Sequence, residues 1–378
     1  MKVTIVGAGN MGLCLLGYLS RKTVNLVLYT SSDKMYGKAI LLKNCYNRDE
    51  YPVSGFTVTS SLEEAFRDTD LVLCTYPAFL RKSFIDKIEH IINPDAILCF
   101  VPGYGGAEYS CTELIKRGVS VCGFQRVPYV ARCETVADRL VANILSIKHR
   151  LFVSAIPASR TIRIVSIIES LLDIPVTPLD EYLAVTLSPS NPLLHISGLY
   201  NVFGKMGKHT VFPHELKFYD EWNDTTSELL MTYDDELHSI CDSLKPHFNL
   251  NEVVPLSKYY ESPSPQQMTE KLKSIEPFKV VKVPLKRVSE NEYVVDLESR
   301  MFAEDFPFGV CIFKALAKLT GTDTPIIDML LTFYKRISGK EYFRADGSFG
   351  RDINDTGIPQ LNGLASVAQL ASFYKHAK

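Results

Sequence analysis

No Cys-x-x-Cys pair occurs anywhere in this chain. Its cysteines stand singly at positions 14, 45, 74, 99, 111, 122, 133, 241 and 311. That spacing argues against zinc knuckles and dithiol redox motifs, and no metal is expected. An odd number of scattered thiols in a long chain fits a reducing cytoplasm better than secretion. Charge of one sign is missing too. The formal net charge is −2, so the electrostatic footprint of a nucleic-acid binder is absent. Long apolar runs are also lacking. The apolar stretch at residues 1–20 is broken by Gly7, Gly9, Asn10 and Gly12. It does not read as a membrane span or as a signal peptide with a continuous apolar core. There is no internal repeat and no low-complexity tract. What remains is a chain of 378 residues, 46% hydrophobic, which suits two globular domains of ordinary size.

That broken stretch is the most informative in the chain. Val3-Thr4-Ile5-Val6 forms a strand, Gly7-Ala8-Gly9-Asn10-Met11-Gly12 follows, and residues 13–19 continue as an apolar helix. The pattern G-x-G-x-x-G between a strand and a helix is the dinucleotide-binding fingerprint. Gly7 permits the tight turn, Gly9 lets a pyrophosphate approach the backbone, and Gly12 allows close helix packing. The helix start, with Asn10 and Met11, offers free N–H groups and the positive end of the dipole to phosphate.

Residues 24–29 read as a second strand, followed by Thr30-Ser31-Ser32-Asp33-Lys34. An acid at this strand end would accept from a ribose 2′-OH and favour NAD. Here the strand runs into hydroxyls, and Asp33 falls where a helix cap is expected. Thr30, Ser31, Ser32 and Lys34 are positioned to donate to a 2′-phosphate, which tilts the expectation from NAD towards NADP.

The rest of the first half alternates strand and helix, with strands expected at 56–59, 70–75, 96–101 and 119–124. This predicts a doubly wound parallel sheet covered on both faces. Tyr76-Pro77-Ala78 leaves its strand at the carboxyl end, where ligands of open α/β sheets bind. Pro102-Gly103-Tyr104-Gly105-Gly106 lies on the same edge, either for close backbone approach to a ligand or as a plain flexible turn. Gln125 ends the last parallel strand. Residues 140–146 and 150–154 alternate like an antiparallel extension, and 158–172 reads as a helix. The expected organisation is an α/β chain: a Rossmann-like domain at 1–184, then a mainly helical domain at 185–378.

In the second half, helices are expected at 190–206, 222–243, 310–319, 324–337 and 364–374. Residues 262–265 read as a loop and 293–298 as extended. The polar, glycine-rich segment 338–362 is long for a loop and reads as a lid. Asn191 and His195 are four residues apart and share a helix face. Taken singly, His195 reads as a core histidine or as an acid/base group. Asp305 reads as a helix cap, and Arg300 as a surface charge.

Four segments occur in a telling order: the glycine fingerprint, Val127-Pro128-Tyr129-Val130-Ala131-Arg132, Asn191-Pro192-Leu193-Leu194-His195, and the run from Arg300 through Glu304-Asp305-Phe306-Pro307-Phe308-Gly309. Together they resemble the octopine/nopaline (opine) dehydrogenase family over nearly the whole chain. The resemblance implies a Rossmann domain followed by a helical domain, with the active site in the cleft between. It implies reductive condensation of an amino acid with an α-keto acid, dependent on NADH or NADPH. It makes His195 the acid/base, Asp305 its partner and Arg300 a clamp on a substrate carboxylate. Asn191 and Gln125 are further substrate contacts. Expected partners are these small molecules, without nucleic acid or membrane, and a homodimer is the candidate assembly. Two other readings stay open. One is a ketopantoate or glycerol-3-phosphate type of reductase, in which Lys205 would carry the chemistry. The other is a protein that senses NADP(H) without turnover.

Overall fold

The β-branched run Val3-Thr4-Ile5-Val6 builds an interior strand of the molecule's main sheet. The structure is a computed structural model that describes residues 1–31, 38–207 and 210–376. The chain divides into two units, Met1–Thr186 with Ser372–Lys378, and Leu187–Ala371. No described helix is long and apolar enough to cross a membrane.

The strands of the first unit are β1 (Lys2–Val6), β2 (Asn25–Tyr29), β3 (Ile40–Asn44), β4 (Asp49–Pro52), β5 (Phe56–Thr59), β6 (Leu71–Cys74), β7 (Ile97–Phe100), β8 (Ser120–Phe124), β9 (Tyr129–Val136), β10 (Arg139–Ile147), β11 (Leu151–Ile156) and β12 (Val176–Pro178). Eight of them form one sheet in the order β12-β11-β8-β7-β6-β1-β2-β5. From β5 to β8 every pairing is parallel. β6, β7 and β8 are buried at every residue, as a sheet covered on both faces requires. β11 adds to β8 antiparallel, as its alternation predicts.

β10 departs from the expected extension. It joins a separate four-stranded sheet, β4-β3-β10-β9, pairing parallel with β3 and antiparallel with β9. Alternation marks a strand but does not name its neighbour. Here the neighbour lies about 100 residues upstream, in a segment with no expected strand.

The second unit is mainly helical, with long helices Ser190–Phe203, Asp224–Leu244, Pro265–Ser274, Cys311–Thr320 and Pro325–Ser338. One small hairpin, β13 (Leu285–Ser289) with β14 (Glu292–Val295), interrupts them. The expected loop at 262–265 stops at Ser264, whose hydroxyl accepts from Gln267 N and caps a helix starting at Pro265. Glu236 caps across the sequence, with its carboxylate accepting from Ile326 N at 2.6 Å and Ile327 N at 2.9 Å.

The segment 338–362 is not a free lid. Its polar composition conceals buried anchors at Tyr342, Phe343, Ile353 and Ile358. Tyr342 stacks on Tyr334 with centroids 5.6 Å apart, and Gly357 N donates to Pro307 O. A few apolar contacts fix a segment that composition assigns to solvent.

Candidate active site

The glycine turn separates into three roles. Gly7 has φ +100°, a conformation that side chains resist, and its N–H donates to Tyr29 O. A Cβ on Gly12 would fall 1.8 Å from Gly7 O, so this position closes the helix against the turn. A Cβ on Gly9 would meet no atom of the described residues within 4 Å. Gly9 therefore lies against open space, at the start of helix Asn10–Leu19, which no side chain caps. An uncapped helix start behind a position with open space in front fits the diphosphate of a dinucleotide.

The Asn10 side chain turns elsewhere. Its Oδ1 accepts from Cys133 N at 2.8 Å, which anchors the turn to β9. Met11 is half-buried against the core. Thr30 is buried and its N–H continues the sheet ladder to Thr59 O, whereas Ser31 is exposed. Ser32 and Lys34, with Asp33 between them, lie outside the described residues. Gln125 follows β8 directly; it is buried and its N–H donates to Phe152 O.

In the second unit, His195 and Asp305 come together although 110 residues separate them. His195 Nδ1 lies 2.7 Å from Asp305 Oδ2. The histidine side chain is 20% exposed and the carboxylate 4%. Helix Ser190–Phe203 turns Leu194, Ile196 and Leu199 inward and leaves Asn191 exposed beside the half-buried His195. Asp305 precedes a π-helical turn, Phe306–Val310, in which Val310 N donates to Asp305 O.

Why the two meet depends on residues that no motif logic assigned. A Cβ on Gly309 would fall 2.6 Å from Pro192 Cβ. Glycine here lets the π-turn touch the first turn of the histidine helix. Gly198 makes similar room for Phe218, whose ring stands edge-on to His195 with centroids 6.0 Å apart. Gly309 belongs to the run that carries the family resemblance, so a signal existed. Phe218 carried none.

Burial raises the Asp305 pKa, and the His195 charge and hydrogen bond pull it partly back. With Asp305 ionised, its carboxylate accepts from Nδ1 and Nε2 lies outside this contact. Arg300 is engaged by neighbouring Glu304, through Nη2 at 2.5 Å and Nε at 2.6 Å. Glu304 is buried while Arg300 is 65% exposed, so a fixed acid orients an accessible guanidinium. Lys205 is exposed beyond the end of the helix at Phe203, and roughly 15 Å of helix rise separates it from His195.

Tyr233 lies close enough to Asp305 to feel its charge. Its phenol is fully buried, its hydroxyl has no hydrogen-bond partner among the described residues, and burial first, then the Asp305 charge, raises its pKa. An unsatisfied buried hydroxyl costs about 1–3 kcal/mol. Tyr233→Phe is therefore expected to keep turnover within about twofold and to melt no lower than the parent. A large loss of turnover would show instead that the hydroxyl serves Asp305 during reaction.

Comparison with known proteins adds to this geometry. A family model described as NAD/NADP octopine/nopaline dehydrogenase, alpha-helical domain, matches residues 178–338. One for ketopantoate reductase PanE/ApbA matches residues 3–129. Tauropine dehydrogenase of Arabella iricolor is 23% identical, over 97% of this chain and 98% of that protein. An octopine dehydrogenase solved with NADH and L-arginine superposes with a TM-score of 0.85 at 22% identity, over 100% of this chain and 99% of that one. A yersinopine dehydrogenase with NADP+ bound gives a TM-score of 0.66 at 14% identity, over 96% and 98%.

Proposed function

Because this chain belongs to the octopine/nopaline (opine) dehydrogenase family, we propose that it joins the amino group of an amino acid to the carbonyl of an α-keto acid and reduces the product to a secondary amine. The observation that carries the reading is the His195–Asp305 contact at 2.7 Å. Condensation expels water, and the departing oxygen needs a proton. His195 Nε2 supplies it. Asp305 holds the proton on Nδ1, fixes the tautomer and supports the imidazolium. A nicotinamide dinucleotide held at Gly7, Gly9 and Gly12 and the start of the following helix supplies the hydride for the imine carbon.

Arg300 presents a planar fork to a substrate carboxylate. Glu304 holds that fork in place. Asn191, exposed one turn before His195, and Gln125, at the end of β8, are the remaining substrate contacts in this reading. Arg300→Lys keeps the charge and loses the fork. It is expected to raise KM for one substrate roughly tenfold or more, measured by steady-state kinetics. Unchanged Michaelis constants for both substrates would remove Arg300 from the clamp role.

NADP is the proposed cofactor over NAD, because Thr30, Ser31, Ser32 and Lys34 follow β2 where NAD users carry an acid. The proposed setting is the cytoplasm, on the strength of nine free cysteines. The test is a cross-screen of amino acids against pyruvate, 2-oxoglutarate and glyoxylate, with NADH and NADPH. Loss of reduced nicotinamide absorbance that requires both substrates supports the proposal. Loss with a keto acid alone would favour the ketopantoate type of reductase.

A further inference from the structure

One carboxylate of the first unit plays no part in that chemistry. Glu108 lies in the short turn Ala107–Cys111, after the glycine cluster at the carboxyl end of β7. It is fully buried. Its Oε1 accepts from Thr186 Oγ1 and from Tyr374 Oη, the latter at 3.1 Å. Tyr374 Oη also lies 3.2 Å from Tyr109 Oη.

The positions of these partners are informative. The chain passes between its two units at Thr186–Leu187 and returns at Ala371–Ser372. Thr186 is the last residue before the first passage, and Tyr374 follows closely on the second. One carboxyl oxygen thus ties both passages to the sheet edge that also carries the Gly7–Gly12 turn.

No cation forms a salt bridge with this group among the described residues. Arg81, also buried, donates to the carbonyls of Tyr76 and Tyr104. Among the described residues, Glu108 Oε2 has no hydrogen-bond partner. A glutamine would offer the same acceptor without burying an ionisable group. Burial pushes the Glu108 pKa up to about 7, against the hydrogen bonds from Thr186 and Tyr374 and the charge of Arg81. The other titratable groups around it are Tyr109, Cys111, Tyr182 and Tyr374. Burial pushes each of them up, so they stay protonated.

We propose that Glu108 is a positioning residue for the condensation, a latch that fixes both passages of the chain to the cofactor edge of the sheet. This rests on the reaction proposed above. The buried site favours the protonated carboxyl, whose Oε1 still accepts from both hydroxyls. Ionisation puts an unpaired charge in an apolar site and favours release to water. The latch holds as pH falls below neutrality and loosens as pH rises through it.

The test compares Thr186→Val, Tyr374→Phe and Glu108→Gln in the full chain. The first two are expected to raise substrate KM roughly tenfold, the loss of one buried hydrogen bond, with cofactor Kd unchanged. In the parent, KM should rise as pH rises through neutrality; in Glu108→Gln it should stay flat. Amide hydrogen exchange at residues 186–188 and 371–373, corrected for intrinsic rates, should follow the same pattern. Variants that keep the parent's KM and pH profile would overturn the latch. So would lower melting temperatures with unchanged KM and exchange, the mark of a purely structural role. If the parent turns over no substrate pair, the reaction assignment fails by itself. The exchange pattern then decides the latch, and a pH-independent parent overturns it.

Discussion

His195→Ala is expected to lower turnover by about 10²–10⁴-fold, the usual worth of a positioned acid/base, with cofactor binding kept. Asp305→Asn should do nearly the same, because the carboxylate acts only through the imidazole it holds at 2.7 Å. The double variant should be scarcely worse than His195→Ala. Additive losses would assign the residues independent roles. The pH dependence has a sign. Burial raises the Asp305 pKa above the ordinary aspartate value. The pair titrates as a unit, so the acid limb of kcat/KM should lie above the range of an ordinary aspartate. Activity is lost as pH falls through that limb. Stability runs the other way. A raised folded-state pKa means that the protonated carboxyl is favoured on folding. Its contribution is fully present below the unfolded value and is lost as pH rises through the folded one. Asp305→Asn should abolish both dependences. Stopped assays across pH, paired with thermal melts of the same samples, check the two slopes together.

Gly9→Val is expected to weaken cofactor binding by at least about 100-fold, ~2.7 kcal/mol, and to leave the fold intact. Its backbone is extended, with φ −82° and ψ −173°, which valine adopts readily. No atom of the described residues lies within 4 Å of the new Cβ, so the added bulk leaves the fold room and would fill the space proposed for the pyrophosphate. Gly12→Ala is the contrasting case. Its Cβ would sit 1.8 Å from Gly7 O, a backbone atom that cannot turn aside. The turn must open, at a cost of roughly 3 kcal/mol or more. Fluorescence titration with NADPH and thermal melting separate the two outcomes. A Gly9→Val protein that binds as tightly as its parent would remove the pyrophosphate from this turn.

The sequence by itself determined the elements whose signals are local. Three glycines between a strand and a helix mark the tight turn, because the positive φ at Gly7 and the close approach at Gly12 exclude a side chain. Continuous apolar runs specify β6 and β7, since a sheet covered on both faces excludes water from every position. The two halves differ in period, and that difference is what puts the expected change from sheet to helices near residue 184. Tertiary structure decided what depends on distant partners. Residues 40–52 form strands only because β10 and helix Asn10–Leu19 give them a surface to bury. The segment 338–362 packs because four apolar side chains find a core. His195 and Asp305 were nameable through resemblance, yet their contact rests on Gly309 meeting Pro192. Glu108 belongs to no motif at all. Its importance comes from the two hydroxyls that folding brings to it, one before the chain leaves the first unit and one after it returns.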